Sequence, residues 1–250
     1  MPPHRARAGV LDCHRPGALP VLGFAFAGAN AGALKPLAAH LPEGLALHEF
    51  VPPGRGRRFR EPSEDRLPAL CEQAVAALAA LPATPILFGY SLGALLAYET
   101  ARRLQALGRP PRALVVCALD APHRLPTDGD VHRRPLPGLR EHLARLGGTP
   151  REVLDDLSVL ACFEPAIRND YRLVEQYRHA AGDPLACPIV AVAGTRDTQT
   201  TVQGVTDWGA LTAGRFIEMW LDDGHFFITS HAGAWRKCFD LAAALAGETA

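Results

Sequence analysis

The sequence has little lysine, little serine and no paired cysteines. Of the 26 basic residues in the 250-residue chain only Lys35 and Lys237 are lysine, and 26 acidic residues bring the formal net charge to zero. That balance leaves no basic footprint for nucleic acid. The six cysteines, Cys13, Cys71, Cys117, Cys162, Cys187 and Cys238, stand far apart, without a CxxC pair or a metal-ligand spacing. Neither a disulfide framework nor a metal centre is expected, and the thiols should be reduced and mostly buried. Long hydrophobic runs are missing too: no stretch approaches the ~18 apolar residues of a membrane span. Residues 1–20 carry Arg and His but no apolar h-region of a secretory signal. A cytoplasmic, monomeric protein with no membrane or nucleic-acid partner is expected.

What is present is apolar material for one large core, 48% hydrophobic residues against 21% charged. A chain of this length removes roughly 70–75% of its unfolded surface from water, so one domain over residues 1–250 needs no staple. After a lead expected to be loosely ordered at its tip, residues 19–26 (LPVLGFAF) read as a buried strand. Helical spacing over 33–41 stops at Pro42, and 45–51 reads as a strand entering the turn Pro52-Pro53-Gly54. Ser63, Glu64 and Asp65 favour a helix start ahead of the Leu- and Ala-rich segment 67–81. Strands at 86–89 and 113–119 flank a helix over 92–107 closed by Gly108.

The rhythm breaks at about 122–182, where Leu139, Leu143 and Leu146 share one helical face and Ile167, Tyr171 and Val174 another. This segment is read as an inserted helical lid. Strands at 188–194 and 215–221, a helix around 202–211 and a final helix over 230–246 restore the alternation. The pattern predicts an α/β fold with a mostly parallel sheet and right-handed crossovers.

Gly89-Tyr90-Ser91-Leu92-Gly93 forms a GxSxG pattern where a strand gives way to a helix. With only four serines in the chain, chance is a poor explanation. The physical need is a sharp turn that lifts the serine hydroxyl above the sheet, with glycines allowing strand and helix to approach closely. The bland reading is a serine that merely caps its helix. A nucleophilic Ser91 requires a base and a group to orient that base.

In α/β-hydrolases the chain order is serine, acid, histidine. His225, in the loop after the last strand, is the candidate base; His231, at the start of the next helix, is the competitor. For the acid, Asp197 is favoured and Asp120 is the alternative, since both end strands; Asp222 and Asp223 lie too near His225 in sequence. The Leu92 N–H, at a helix N-terminus, is the first oxyanion donor. The small-residue turn Ala27-Gly28-Ala29 suggests the Ala27 N–H as the second. Arg55, Arg57, Arg58 and Arg60 form a basic loop, read as solvated arginines with docking of an acidic partner as the alternative.

Together FAFAGAN, VPPGRGRR, GYSLGALLAYE, IRNDYRLVEQY and DDGHFFI resemble five ordered motifs of the type II thioesterases, the free-standing α/β-hydrolases that accompany polyketide synthases and nonribosomal peptide synthetases. Ala25 replaces the family's usual Pro, Ala29 a Gly, and Asp223 the first Gly of the histidine loop. The thioesterase domains fused to synthases take their acid from the position of Asp120, and the free-standing group from that of Asp197, which favours Asp197. The resemblance implies hydrolysis of acyl groups from the phosphopantetheine arms of acyl or peptidyl carrier proteins, with no cofactor of the protein's own. It also implies an acyl channel beneath the lid, to which Ile167, Tyr171 and Val174 would contribute. A small-molecule carboxylesterase or a chain-releasing thioesterase would share this site, and a non-catalytic ligand-binding α/β-hydrolase would share the fold.

Overall fold

The computed structural model describes residues 10–248; the tip of the lead, expected to be loosely ordered, lies outside them. Seven strands form one sheet: β1 (Leu11–Arg15), β2 (Leu19–Phe24), β3 (Leu45–Phe50), β4 (Ile86–Tyr90), β5 (Ala113–Cys117), β6 (Ile189–Gly194) and β7 (Phe216–Leu221). Their spatial order is β1-β3-β2-β4-β5-β6-β7, and every pairing is parallel except β1 with β3. Helices cover both faces in the α/β-hydrolase arrangement expected from the sequence.

The strands read as unbroken apolar runs because both of their faces are buried. In β4, Leu87 packs into the core beneath α1 (Leu67–Ala77) and α2 (Leu92–Ala106), while Ile86, Phe88 and Tyr90 face the core under α7 (Ala232–Glu248). Neighbouring strand residues point to opposite faces, so one short run feeds two cores.

Three readings change. β1 was not foreseen: LDCHR is half-exposed and polar, an edge strand held by its antiparallel pairing and not by an apolar pattern. The segment expected to be helical over 33–41 is a short 3-10 helix, Lys35–His40, with Pro36 in its first turn. Likewise the segment around 202–211 divides into α6 (Val202–Thr206) and a 3-10 turn, Asp207–Leu211.

Between β5 and β6 the chain builds α3 (Leu136–Leu146), α4 (Arg151–Asp155) and α5 (Leu157–Glu175). With Val131 from the 3-10 turn ahead of α3, these helices carry a small core of their own, formed by Leu139, Leu143, Leu154, Leu160 and Ile167. Asp156 caps α5 by accepting from the Ser158 and Val159 amides. Among the described residues no helix is long and apolar enough to cross a membrane.

Candidate active site

Ser91 follows β4 with φ 53° and ψ −119°, a left-handed conformation that a side-chain-bearing residue rarely adopts. Its backbone amide is anchored to the Cys117 carbonyl at 2.8 Å, which fixes the turn against β5. Two glycines make the turn possible. A Cβ on Gly89 would stand 2.1 Å from the Gly93 carbonyl oxygen, and one on Gly93 would stand 2.0 Å from the Phe24 carbonyl oxygen. No side chain fits in either place, so strand, turn and helix are pressed together as the GxSxG pattern requires.

The carboxyl ends of the parallel strands carry the other groups. His225 follows β7 and Asp197 follows β6, and these strands are hydrogen-bonded neighbours. His225 Nε2 is 3.2 Å from Ser91 Oγ, and His225 Nδ1 is 2.8 Å from Asp197 Oδ2. The Asp197 side chain is fully buried and that of His225 is 5% exposed. The other Asp197 oxygen accepts the Gln199 amide at 2.8 Å. A buried carboxylate on Nδ1 selects the tautomer that carries its proton there, leaving the Nε2 lone pair toward the serine hydroxyl.

Asp120, the alternative acid, is engaged elsewhere. It accepts the Thr201 amide at 2.9 Å and the Thr201 hydroxyl at 3.1 Å, bracing the start of α6. Burial pushes its carboxyl above the ordinary carboxylate range, and the nearby charge of Asp197 adds to the effect. His231 stands just ahead of α7 and pairs with Asp223 at 3.1 Å. Asp222 pairs with Arg196.

Among the described residues neither the Leu92 nor the Ala27 amide has a hydrogen-bond acceptor. Leu92 is the first residue of α2, where an unpaired N–H and the helix dipole favour negative charge. Ala27 lies in the turn after β2, which the Ala29 amide closes onto the Phe26 carbonyl at 3.1 Å. A recess beside this turn is lined by Ala25, Asn30, Arg55, Leu92, Leu96 and Asp170. Of the lid side chains expected beside an acyl chain, Ile167 packs in the helical core and against Gly28. The Tyr171 hydroxyl lies 3.1 Å from His142 Nε2, and Val174 packs on the core beneath α1 and α2. None of the three lines the recess.

The basic loop corrects a reading from sequence. Arg57 is 78% exposed, as solvation requires, but the Arg58 side chain is buried and that of Arg55 only 10% exposed. Arg55 pairs with Asp170, and Arg58 with Glu61, Gln73 and the Val51 carbonyl. Two further residues of the site went unread. Tyr90 fills a variable position of the GxSxG pattern, and nothing local marks its role. Asp170 did carry a signal, because it interrupts the apolar face of Ile167, Tyr171 and Val174, and a carboxylate on a buried face needs a partner. No cluster of three or more His, Cys, Asp or Glu side chains able to hold a metal ion occurs among the described residues.

The thioesterase domain family model matches residues 20–238. A probable cadicidin biosynthesis thioesterase of Streptomyces griseus is 34% identical over 212 residues, covering 84% of this chain; the match spans 58% of that relative's length. Among solved structures, the RedJ thioesterase from the prodiginine pathway of Streptomyces coelicolor is similar at TM-score 0.83 and 33% identity, covering 91% of this chain and 85% of its own. The type II thioesterase BorB from the borrelidin biosynthetic cluster is similar at TM-score 0.84 and 33% identity, covering 94% and 97%.

Proposed function

The chain belongs to the thioesterase domain family and is a thioester hydrolase; from that premise we propose that it clears acyl groups from the phosphopantetheine arms of carrier proteins in a polyketide or nonribosomal peptide pathway, through Ser91, His225 and Asp197. The observation that carries the reading is the line of contacts from Ser91 Oγ to His225 Nε2 and from His225 Nδ1 to Asp197 Oδ2.

In this mechanism Ser91 Oγ attacks the thioester carbonyl while its proton passes to His225 Nε2. The oxyanion is held by the Leu92 and Ala27 N–H groups, which are free of other acceptors among the described residues. Asp197 stabilises the imidazolium without taking its proton. Collapse expels the thiol of the arm, which receives the proton from His225 and leaves an acyl-Ser91 ester. Water then adds to that ester with His225 again as base, releasing the carboxylic acid and restoring the hydroxyl.

The helices between β5 and β6 serve as the lid in this reading, over residues 122–182. Ile167 lies beside the donor turn at Gly28, and in this reading it contacts the acyl chain, with Tyr171 and Val174 shaping the roof by packing.

Intact-mass measurement of a panel of acyl-carrier proteins before and after incubation tests the proposal. Loss of the acyl mass with wild-type enzyme and its retention with Ser91→Ala is the expected result. Equal turnover of the matching acyl oxyester would point to a carboxylesterase. Unchanged turnover by Ser91→Ala would remove the serine mechanism.

A further inference from the structure

Asp170 is a buried carboxylate in the C-terminal half of α5, and one of its oxygens, Oδ2, receives two donors from outside that helix. The Gly28 N–H reaches it at 2.6 Å and Arg55 Nη2 at 2.5 Å. Arg55 also approaches the Ala166 carbonyl at 3.4 Å. Three stretches far apart in sequence therefore meet at one atom: the turn after β2, the loop after β3, and α5. Burial pushes the Asp170 carboxyl above the ordinary range, and the Arg55 guanidinium pulls it back. Apolar side chains of similar volume would hold a helix in place as well as a buried ion pair does, and often better. The charge therefore needs an explanation beyond packing.

Peptide geometry supplies one. The Ala27 N–H and the Phe26 carbonyl belong to the same peptide plane and point in opposite directions. The Ala29 amide grips that carbonyl at 3.1 Å. The next plane carries the Gly28 N–H, gripped by Asp170. With both planes flanking Ala27 fixed, the direction of its own N–H is fixed too, and no acceptor among the described residues claims it. Gly28 has φ 76°, and a Cβ there would stand 3.0 Å from Ile167 Cγ1, so α5 also bears on the turn sideways.

We propose that Asp170 is a positioning residue which, by holding the Gly28 amide, aims the Ala27 N–H at the oxyanion and makes the seating of α5 on this turn a condition for acyl transfer. The proposal rests on the reading of Ser91 as the nucleophile. Arg55 neutralises the carboxylate that does the holding. If α5 lifts away, the Asp170 bond to Gly28 breaks, the turn is free to rotate its peptides, and the second donor is lost. Hydrolysis is thereby confined to the closed arrangement.

The test compares two double variants that both remove the buried charges. Asp170→Asn/Arg55→Met keeps an acceptor for the Gly28 amide; Asp170→Ala/Arg55→Met does not. Rates are expressed per active site titrated with a fluorophosphonate, so partial loss of folded protein does not enter the comparison. With an acyl-pantetheine thioester, the Ala/Met pair should lose about 10–100-fold in kcat with KM changed less than about 3-fold, and the Asn/Met pair should recover most of that loss. A trifluoromethyl ketone that adds to the serine should bind the Ala/Met variant more weakly in proportion to kcat, whereas the unreactive acyl-pantetheine amide should bind both variants alike. Equal kcat and equal ketone affinity in the two variants would overturn the role of Asp170. Ser91→Ala, run alongside, separates the two readings. If it retains wild-type turnover the nucleophile assignment fails, and if it is inactive while the double variants match, only the positioning role fails.

Discussion

The Tyr90 hydroxyl donates to the backbone carbonyl of His225 at 2.6 Å and accepts the Phe227 amide at 2.9 Å, so the residue beside Ser91 holds the loop that carries His225. Its ring is fully buried, close to those of Phe26, Phe226 and Phe227. Burial raises the phenol far above its ordinary value, so it stays a donor across the working range of pH.

Tyr90→Phe keeps the ring and strands both backbone groups. Stability should fall by about 1–3 kcal/mol in denaturant titration. In steady-state assays kcat should fall by about 10-fold with little change in KM, because the imidazole loses its register to Ser91. Wild-type kcat in a folded Tyr90→Phe enzyme would show that the loop is held without the hydroxyl.

Asp197→Asn and Asp120→Asn make a ranked pair. Asp197 is the carboxylate on His225 Nδ1, whereas Asp120 is committed to Thr201. Asp197→Asn should lower kcat by roughly 10³–10⁴-fold by favouring the wrong tautomer. Asp120→Asn should change it by less than about 5-fold, since Asn still accepts from the Thr201 amide. The reverse ranking in matched assays would move the acid to β5.

Two glycine substitutions should act in opposite directions. The Cβ of Gly93→Ala would lie 2.0 Å from a backbone oxygen that has no room to retreat, so more than about 3 kcal/mol of stability, or the fold itself, should be lost. Gly233 in α7 has nothing within 4 Å of an added Cβ. Gly233→Ala should therefore stabilise by about 0.5–1 kcal/mol. Thermal unfolding of both variants decides the matter, and similar shifts would contradict the steric account.

Glu49 gives a dependence on pH. Burial raises its carboxyl above the usual value, partly offset by donors from His14, Leu34 and Gly32. As pH falls the folded chain takes up this proton before the unfolded chain does, so the group's contribution to stability declines as pH rises from its unfolded value through its raised folded value. Glu49→Gln lacks that decline. The Tm of the variant minus that of the wild type should increase between about pH 4 and pH 7, and a flat or decreasing difference would count against it.

Much of this protein was legible one segment at a time. Strands β2, β4, β5 and β6 are buried on both faces, so their apolar runs announce them, and Gly89-Tyr90-Ser91-Leu92-Gly93 announces its own turn because the clash Gly89 avoids is with Gly93, four positions on, although the one Gly93 avoids is with the distant Phe24 carbonyl. Strand β1 escaped notice because an edge strand is held by hydrogen bonds to β3 and needs no apolar signature.

The sequence by itself determined the alternation of strands and helices, the position of the GxSxG turn, and a short list of candidate acids and bases at strand ends, because each of these depends on side chains close together along the chain. Only the tertiary structure decided among the candidates. That Asp197 and not Asp120 meets His225 follows from β6 lying beside β7, where Gly194 pairs with Leu221 and the two following loops converge. The pairing of Arg55 with Asp170 and the grip of Asp170 on Gly28, 142 residues away, depend on a meeting of loop, turn and helix. No local pattern encodes such a meeting, because the energy that fixes it exists only once the separate segments have packed.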